Sequence, residues 1–180
     1  MDIASILANI PRDYALKGMF FTRFVDETWS ELENELLEPP PNGKYLAFEW
    51  YPMSDCLRVF DRFARMRFPG ATREAYRLLA RGEVEVLAAT TLGKVTFSML
   101  REPEAAMLRC AELFKEALSR GPTYTVESSP GCVTVIFDDF VSPTEQMLGA
   151  LEGFAMAFDL VPSVDVEIYE RRRAIFRVRW

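Results

Sequence analysis

The sequence predicts an α+β fold in which an N-terminal helical array is followed by a β-β-α-β-β unit. Apolar residues recur with a helical period of about 3.6 up to residue 122, and after residue 123 they alternate in four short segments. An apolar stretch, 142–159, separates the second of these segments from the third. We therefore expect a four-stranded antiparallel sheet, with the apolar helix packed across it and the earlier helices covering the helix's far side.

The chain has 180 residues, a length that fits a single domain spanning 1–180. Within it we expect an N-terminal helical segment at 1–42, a helical array at 43–122 and the β-β-α-β-β unit at 123–180. A hydrophobic fraction of 49% is sufficient for a packed core, and a net charge of −6 disfavours binding to nucleic acid or anionic lipid.

The sequence contains no histidine, and this absence narrows its chemistry. It excludes Ser/His and Cys/His nucleophile pairs, H-E-x-x-H zinc sites and His-ligated haem. Cys56, Cys110 and Cys132 lie far apart, which favours a reducing cytoplasm over a disulfide framework or a zinc site. No run of about 18 apolar residues is present, so we expect no membrane insertion. We predict a cytoplasmic protein with no metal, no cofactor and no catalytic residues.

The N-terminal part begins with a short helical or irregular lead over 1–18. An amphipathic helix with an acidic outer side is predicted over 19–38, and the run Pro39-Pro40-Pro41-Asn42-Gly43 ends it. The aromatic-rich segment 44–50 fits either a short strand or coil.

Further helices follow from the period of the apolar residues, and they are predicted at 54–68, 72–82, 84–100 and 104–119. Ser54 or Asp55 caps the first of these helices and Thr72 caps the second. Gly82 is the candidate break between the second and the third.

The first hairpin is predicted from alternating residues on either side of Pro130-Gly131, which supplies the turn. If both apolar rows share a face, Val126 lies opposite Val135. The helix that follows has Ser142 as its cap, Pro143 at its first position and Glu145 as the partner in a capping box. This helix is apolar on nearly every side, so we expect it to be buried.

The second hairpin ends the chain. Placing its apolar rows on one face sets Ile168 opposite Phe176 and Val166 opposite Val178, with an odd loop between the strands. The same register predicts two cross-strand ion pairs, Glu167 with Arg177 and Asp165 with Arg179.

Several short motifs resemble a family of uncharacterised proteins from myxobacteria, the Myxococcus-type domain of unknown function. The matching segments are Lys17-Gly18-Met19-Phe20-Phe21, Tyr51-Pro52, Phe68-Pro69-Gly70, Leu79-Ala80-Arg81-Gly82, Gly93-Lys94, Leu151-Glu152-Gly153 and the alternation into Trp180. The order of elements is also similar to the fold shared by transport-particle (TRAPP) subunits, vinyl-reductase-type ligand domains and haem nitric-oxide domains. That resemblance implies either an apolar or acyl ligand or a dimerising scaffold, and without histidine the chain departs from the haem branch.

The apolar helix carries the main candidate site. Gly149, Gly153 and Ala157 recur every four residues, a stripe that either lets another backbone approach closely or leaves room for a ligand. In the second case the ligand-binding residues are Met147, Gly149, Leu151, Gly153, Phe154, Ala157 and Phe158. Close packing is the commoner reason for such a stripe.

A second candidate is the basic run Arg171, Arg172 and Arg173 at the tip of the last hairpin. It could contact an anion or an acidic partner, and a solvated tip is the alternative. These features predict a non-enzymatic regulatory or scaffolding domain that acts through protein contacts as a homodimer. The alternative function is a sensor or carrier of a small apolar or acyl ligand, held in a pocket beside the helix over 143–159.

Overall fold

The computed structural model of the chain describes residues 3–20, 22, 24, 36, 44–89, 93–94, 102–169 and 172–180. Its helices are α1 (Ile3–Asn9), α2 (Met53–Arg67), α3 (Thr72–Ala89), α4 (Pro103–Leu113) and α5 (Thr144–Met156). Its strands are β1 (Ala15–Lys17), β2 (Trp50–Pro52), β3 (Ser119–Arg120), β4 (Tyr124–Ser129), β5 (Cys132–Phe137), β6 (Ser163–Ile168) and β7 (Ala174–Arg179). A 3₁₀ turn covers Gly18–Phe20, and a π-helical turn covers Phe114–Leu118.

The C-terminal part confirms the predicted β-β-α-β-β unit. Strands β4, β5, β7 and β6 form an antiparallel sheet in that order, and α5 connects its two hairpins. In the first hairpin Val126 lies opposite Val135, as the alternation predicts. Gly131 has a φ of +71°, a conformation that glycine adopts at little cost, and this fits its place in the tight turn.

The predicted register of the second hairpin is wrong by two residues. Val166 lies opposite Phe176 and Ile168 opposite Ala174. The loop is shorter than expected, because the Tyr169 amide donates to the Arg173 carbonyl at 2.8 Å. A shift of two leaves every side chain on its predicted face. Both predicted ion pairs therefore still form, now along the diagonal between the strands: Arg177 with Glu167, and Arg179 with Asp165.

Three predicted helix caps are also wrong. Thr72 is the first helical residue of α3 and not its cap, because the Ala75 amide donates to the Ala71 carbonyl at 2.9 Å. Helix α2 begins at Met53 after the strand residue Pro52, so neither Ser54 nor Asp55 caps it. Helix α5 begins at Thr144 with Pro143 at the N-cap, and no side chain makes a capping hydrogen bond there.

The predicted break at Gly82 does not occur, since α3 continues through that residue to Ala89. Glycine inside a helix costs only about 1 kcal/mol relative to alanine, which the packing of a long helix offsets. The predicted helices over 19–38 and 84–100 otherwise fall largely outside the described residues.

A second sheet was missed by the sequence analysis. It contains β2, β1 and β3 in that order, all antiparallel, and it joins three distant parts of the chain. Strands of two or three residues are too short to show an alternating pattern, so their sequences give no signal.

Two hydrophobic clusters form the core. The first lies around α2 and α3 and includes Phe24, Phe60, Phe63, Tyr76 and Leu79. The second lies between the four-stranded sheet and α5 and includes Val133, Phe137, Phe140, Leu148 and Phe176. Helix α5 packs along α3 on one side and contacts β6 and β7 on the other, so it joins the clusters. Among the described helices, none combines the length and apolar composition that crossing a bilayer requires.

Candidate functional site

The glycine stripe on α5 lies against the backbone of α3. A Cβ atom at Gly149 would stand 2.0 Å from the Arg77 carbonyl oxygen, and one at Gly153 would stand 3.0 Å from the Arg81 carbonyl oxygen. The first distance is far inside van der Waals contact and the second is tighter than an ordinary contact, so the two helices meet at the positions where side chains are missing. We call this contact the α3–α5 joint.

The predicted ligand-binding residues of α5 lie on more than one side of the helix. Gly149 and Gly153 face α3. Leu151 is buried in the cluster beneath the sheet, and Met147 and Phe154 pack against that cluster. Ala157 is exposed at the C-terminal end of α5, and Phe158 just beyond it is half-buried. The structure therefore divides these residues among the joint, the sheet and the end of the helix.

A buried carboxylate spans the joint, and the sequence analysis did not identify its role. The Glu152 residue is only 6% exposed. Its two carboxylate oxygens each accept a hydrogen bond from Arg77 Nε at 3.0 Å, and one also accepts from Arg81 Nη2 at 2.6 Å. Burial raises the pKa of Glu152, but the hydrogen bonds and charges of the two arginines outweigh burial and hold this pKa below its usual value. Glu152 is therefore ionised and satisfied at neutral pH.

Arg172, at the centre of the arginine run in the last hairpin, is held by contacts with distant parts of the chain. Arg172 Nε lies 2.7 Å from Asp139 Oδ1, and Arg172 Nη1 donates to the Asn9 carbonyl at 2.6 Å. Tyr14 donates its hydroxyl hydrogen to the other oxygen of Asp139. Burial, together with Asp139, raises the pKa of Tyr14 to about 12. Arg173 is exposed, and Arg171 lies outside the described residues.

A loop before β2 presents apolar side chains to solvent. We call residues 44–49 the Phe48 loop, in which Leu46 is 62% and Phe48 76% exposed. Its backbone is fixed by hydrogen bonds. The amides of Gly18 and Met19 donate to the carbonyls of Glu49 and Ala47, at 2.9 and 3.0 Å.

Two side chains complete this fixation. The Tyr51 hydroxyl accepts a hydrogen bond from the Leu46 amide at 3.1 Å, and Lys17 Nζ donates one to the Phe48 carbonyl at 2.6 Å. A backbone held at four points fixes the position from which the exposed Phe48 ring projects.

Basic residues lie beside the loop around one aromatic ring. Lys17 Nζ is 3.8 Å from the centre of the Trp50 ring and Arg120 Cζ is 4.1 Å from it, distances typical of cation–π contacts. Lys115 is exposed and lines the adjoining cleft of about 430 Å³ with Trp50 and Arg120. We call Lys17, Trp50, Lys115 and Arg120 the basic platform.

The small sheet assembles this platform. Lys17 on β1 lies directly opposite Trp50 on β2, and Arg120 on β3 lies opposite Ala15 on β1. Residues opposite one another in antiparallel strands share a face, so the pairing brings the two cations to the same ring. The platform is not predictable from the sequence, because the strands that assemble it are too short to show an alternating pattern.

A second cleft of about 680 Å³ lies between α1 and α2. Ala4, Leu7 and Ala8 form one wall, and the opposite wall is charged. There, Asp61 accepts hydrogen bonds from Arg65 Nε at 2.9 and 3.0 Å and from the Tyr76 hydroxyl. This network satisfies the one carboxylate that lines the cleft among the described residues.

Comparison with protein-family models confirms the predicted resemblance to a domain of unknown function. A family model described as "Protein of unknown function (DUF2378)" matches residues 10–180. No curated protein matches the chain.

Solved structures of H-NOX proteins share the fold. The Fe(II) unliganded H-NOX protein from K. algicida is 17% identical, with a TM-score of 0.64 over 91% of this chain and 96% of that chain. An H-NOX protein from S. oneidensis in the Fe(II)NO ligation state is 12% identical, with a TM-score of 0.64 over 91% of this chain and 98% of that chain. The fold is thus H-NOX-like, which confirms the predicted similarity to haem nitric-oxide domains.

The sequence has no histidine, so this chain offers a haem iron no imidazole ligand. Burial raises the pKa of the Cys110 thiol to about 11 and that of the Cys56 thiol well above its usual value, so both are protonated thiols at neutral pH. In the parts of the chain that the structure describes, no three His, Cys, Asp or Glu side chains form a metal cluster.

Proposed function

This chain belongs to the DUF2378 family of proteins of unknown function, and we propose that it is a non-enzymatic regulatory domain that acts through protein contacts. Its contact surface is the Phe48 loop, and its first partner is a second copy of the chain. The observation that carries this proposal is the fixed backbone beneath an exposed aromatic ring. The H-NOX-like fold supports a regulatory function, and the absence of histidine weighs against an enzyme.

The energetics of the loop favour association. Moving a phenylalanine side chain from water into an interface contributes about 2–3 kcal/mol. Much of the usual cost of association is the ordering of loops and side chains. In the Phe48 loop the backbone hydrogen bonds have already met part of that cost.

The composition of the loop favours a second copy as its partner. In a two-fold symmetric contact each residue meets the equivalent surface, so a charged patch would meet its own charge. Leu46, Ala47 and Phe48 are uncharged, so a symmetric contact centred on these three residues brings apolar groups together. We therefore propose the Phe48 loop as the contact surface of the homodimer that the sequence predicts.

Sedimentation equilibrium of the wild-type chain and two variants tests the proposal. We expect wild type to be dimeric and Phe48→Ser to be monomeric. The control is Val161→Ser, which removes an apolar side chain that is 89% exposed outside the Phe48 loop, and it should remain dimeric. A wild-type chain that stays monomeric at the highest accessible concentration would contradict the homodimer. A dimer that persists in Phe48→Ser would contradict the location.

A second candidate is a sensor or carrier of a small apolar or acyl ligand. It is supported by the likeness to H-NOX proteins, one of which is in the Fe(II)NO ligation state. Its site would be formed beside α5 by Met147, Leu151, Phe154 and Phe158, on the sides of the helix away from the joint. Native mass spectrometry of freshly purified protein distinguishes the candidates. A mass excess that disappears on denaturation would favour the sensor, and an apo dimer would favour the contact domain.

A further inference from the structure

We propose that the basic platform binds an acidic segment of a client protein. This inference rests on the proposed function, because it gives the dimer a second partner that the dimer contact itself does not occupy. The platform adjoins the Phe48 loop, since Lys17 contacts both the Trp50 ring and the Phe48 carbonyl.

The charge of the platform is opposite to that of the chain. The net charge is −6, yet Lys17, Lys115 and Arg120 converge on one small surface, and Glu116 is the one carboxylate among the described residues of the cleft lining. In the described part of the chain, none of these three cations forms an ion pair with a carboxylate. The positive charge of this surface therefore favours a partner that brings carboxylates.

The positions of the cations are fixed before binding. Long basic side chains normally lose conformational entropy when they form an ion pair, which is why exposed pairs contribute little. Here the Trp50 ring holds Lys17 at 3.8 Å and Arg120 at 4.1 Å, so part of that ordering is complete. Cation–π contacts leave the positive charge in place for an anion.

The shape and charge favour a peptide over the other polyanions. The cleft of about 430 Å³ has room for side chains and is flanked by the Ser119 and Thr123 residues. A nucleic acid would bring many phosphates towards a chain whose net charge is −6, whereas a short acidic segment brings a few carboxylates.

Fluorescence anisotropy with a labelled peptide of Glu, Asp, Leu and Phe tests this inference. The matched probe replaces Glu and Asp by Gln and Asn, and labelled single-stranded DNA is the third probe. We expect wild type to prefer the acidic peptide and to bind it more weakly as salt increases. The double variant Lys115→Glu/Arg120→Glu should lower the affinity at least about tenfold.

Two further variants keep the test decisive. Lys115→Glu alone changes an exposed side chain and leaves the cation–π contacts of Trp50 with Lys17 and Arg120 in place, so it should fold and still weaken binding. Arg73→Glu makes the same charge change on the exposed side of α3 and should leave the affinity unchanged.

Three results would overturn the inference: equal binding of the acidic and amide peptides, unchanged affinity in Lys115→Glu, or tighter binding of the DNA. Dimerisation is measured separately. If the wild-type dimer depends on Phe48 but does not bind the acidic peptide, the client site is contradicted and the proposed function is not. If the chain is monomeric but binds the acidic peptide, the proposed homodimer is contradicted and the client site is not.

Discussion

The α3–α5 joint and the Phe48 loop with its basic platform follow opposite physical rules. In the joint, backbones touch at Gly149 and Gly153, and the buried Glu152 is satisfied by two arginines. At the loop an aromatic ring faces water, and the neighbouring cations have no carboxylate partner within the described residues. In the first arrangement the buried carboxylate is paired with two arginines, whereas in the second the exposed groups remain available for a partner.

This difference shows why a small-residue stripe is a poor guide to a ligand site. The stripe on α5 is conspicuous in sequence, but its glycines allow helix contact. The Phe48 loop has no regular pattern, yet exposed loops on a rigid scaffold are where binding residues concentrate. Variants should therefore divide into those that affect stability at the joint and those that affect binding at the loop.

The largest effect on stability is expected from Gly149→Ala. The new methyl group would stand 2.0 Å from the Arg77 carbonyl, which is part of a helix and cannot rotate away. The helices must separate, and we expect a loss of about 3 kcal/mol in the free energy of unfolding, even though alanine is the better helix former. Urea denaturation followed by circular dichroism measures this loss.

Gly153→Ala provides the matched comparison. Its nearest neighbours would be Val84 Cβ at 2.9 Å and the Arg81 carbonyl oxygen at 3.0 Å, so a small shift relieves the contact. We expect a loss of about 1 kcal/mol. If Gly149→Ala is as stable as wild type, the helices are not in backbone contact and the description of the joint is wrong.

The next largest effect is expected from Glu152→Gln. The amide cannot replace the charge that Arg77 and Arg81 share, and we expect a loss of about 2 kcal/mol at neutral pH, less than for a fully buried pair because the arginines are partly exposed. The pKa of Glu152 is lowered in the folded state, so its contribution is complete above its unfolded value of about 4.3 and is lost as pH falls through the folded value. The stability difference between the two proteins should therefore narrow in acid.

Glu112→Gln is the control for this charge change. Glu112 pairs with Arg109 at 2.9 Å, but both side chains are exposed, and such pairs contribute less than about 0.5 kcal/mol. If Glu152→Gln and Glu112→Gln lose equal amounts of unfolding free energy, the ion pairs of Glu152 in the joint stabilise the fold no more than a surface ion pair does.

Much of the architecture is predictable because it follows from residue patterns that repeat over short stretches of the sequence. Alternation places the strands of both hairpins, and an almost wholly apolar stretch identifies α5. The ion pairs of Arg177 and Arg179 are predicted correctly although the register of the second hairpin is not. A shift of two residues leaves each side chain on the same face of the sheet, and the opposite charges stay close enough to pair.

The candidate sites are less predictable because they depend on distant pairings. Arg77 and Arg81 lie 75 and 71 positions from Glu152, and no local pattern connects them. The basic platform needs a sheet whose strands contain only two or three residues. Phe48 is an apolar residue, and the sequence gives no sign that its side chain faces water. Only the fold shows that exposure.

A smaller effect on stability is expected at Asp139, which accepts a hydrogen bond from Tyr14 and forms an ion pair with Arg172. This residue lies outside both the α3–α5 joint and the Phe48 loop. Asp139→Asn should lower the pKa of Tyr14 from about 12 towards its ordinary value, since the negative charge is removed while burial remains. We expect a loss of about 1 kcal/mol. The raised pKa means that the Tyr14 contribution is complete below its unfolded value of about 10 and is lost as pH rises through the folded value.

NMR titration of isotope-labelled tyrosine rings gives the Tyr14 pKa directly. Tyr14→Phe identifies its signal and removes the hydroxyl without changing Asp139. If the Tyr14 pKa is unchanged in Asp139→Asn, the hydrogen bond between them does not form in solution.

The smallest effect on stability is expected from Phe48→Ser, in which a side chain that is 76% exposed is replaced by a polar one. The hydrogen bonds that fix the loop use backbone atoms at this position, so they remain. We expect a change of less than about 0.5 kcal/mol in the unfolding free energy of the monomer, measured below the dimerisation range. A larger loss would show that Phe48 packs within its own chain, and the loop would then resemble the joint: a structural element with no surface left for a partner.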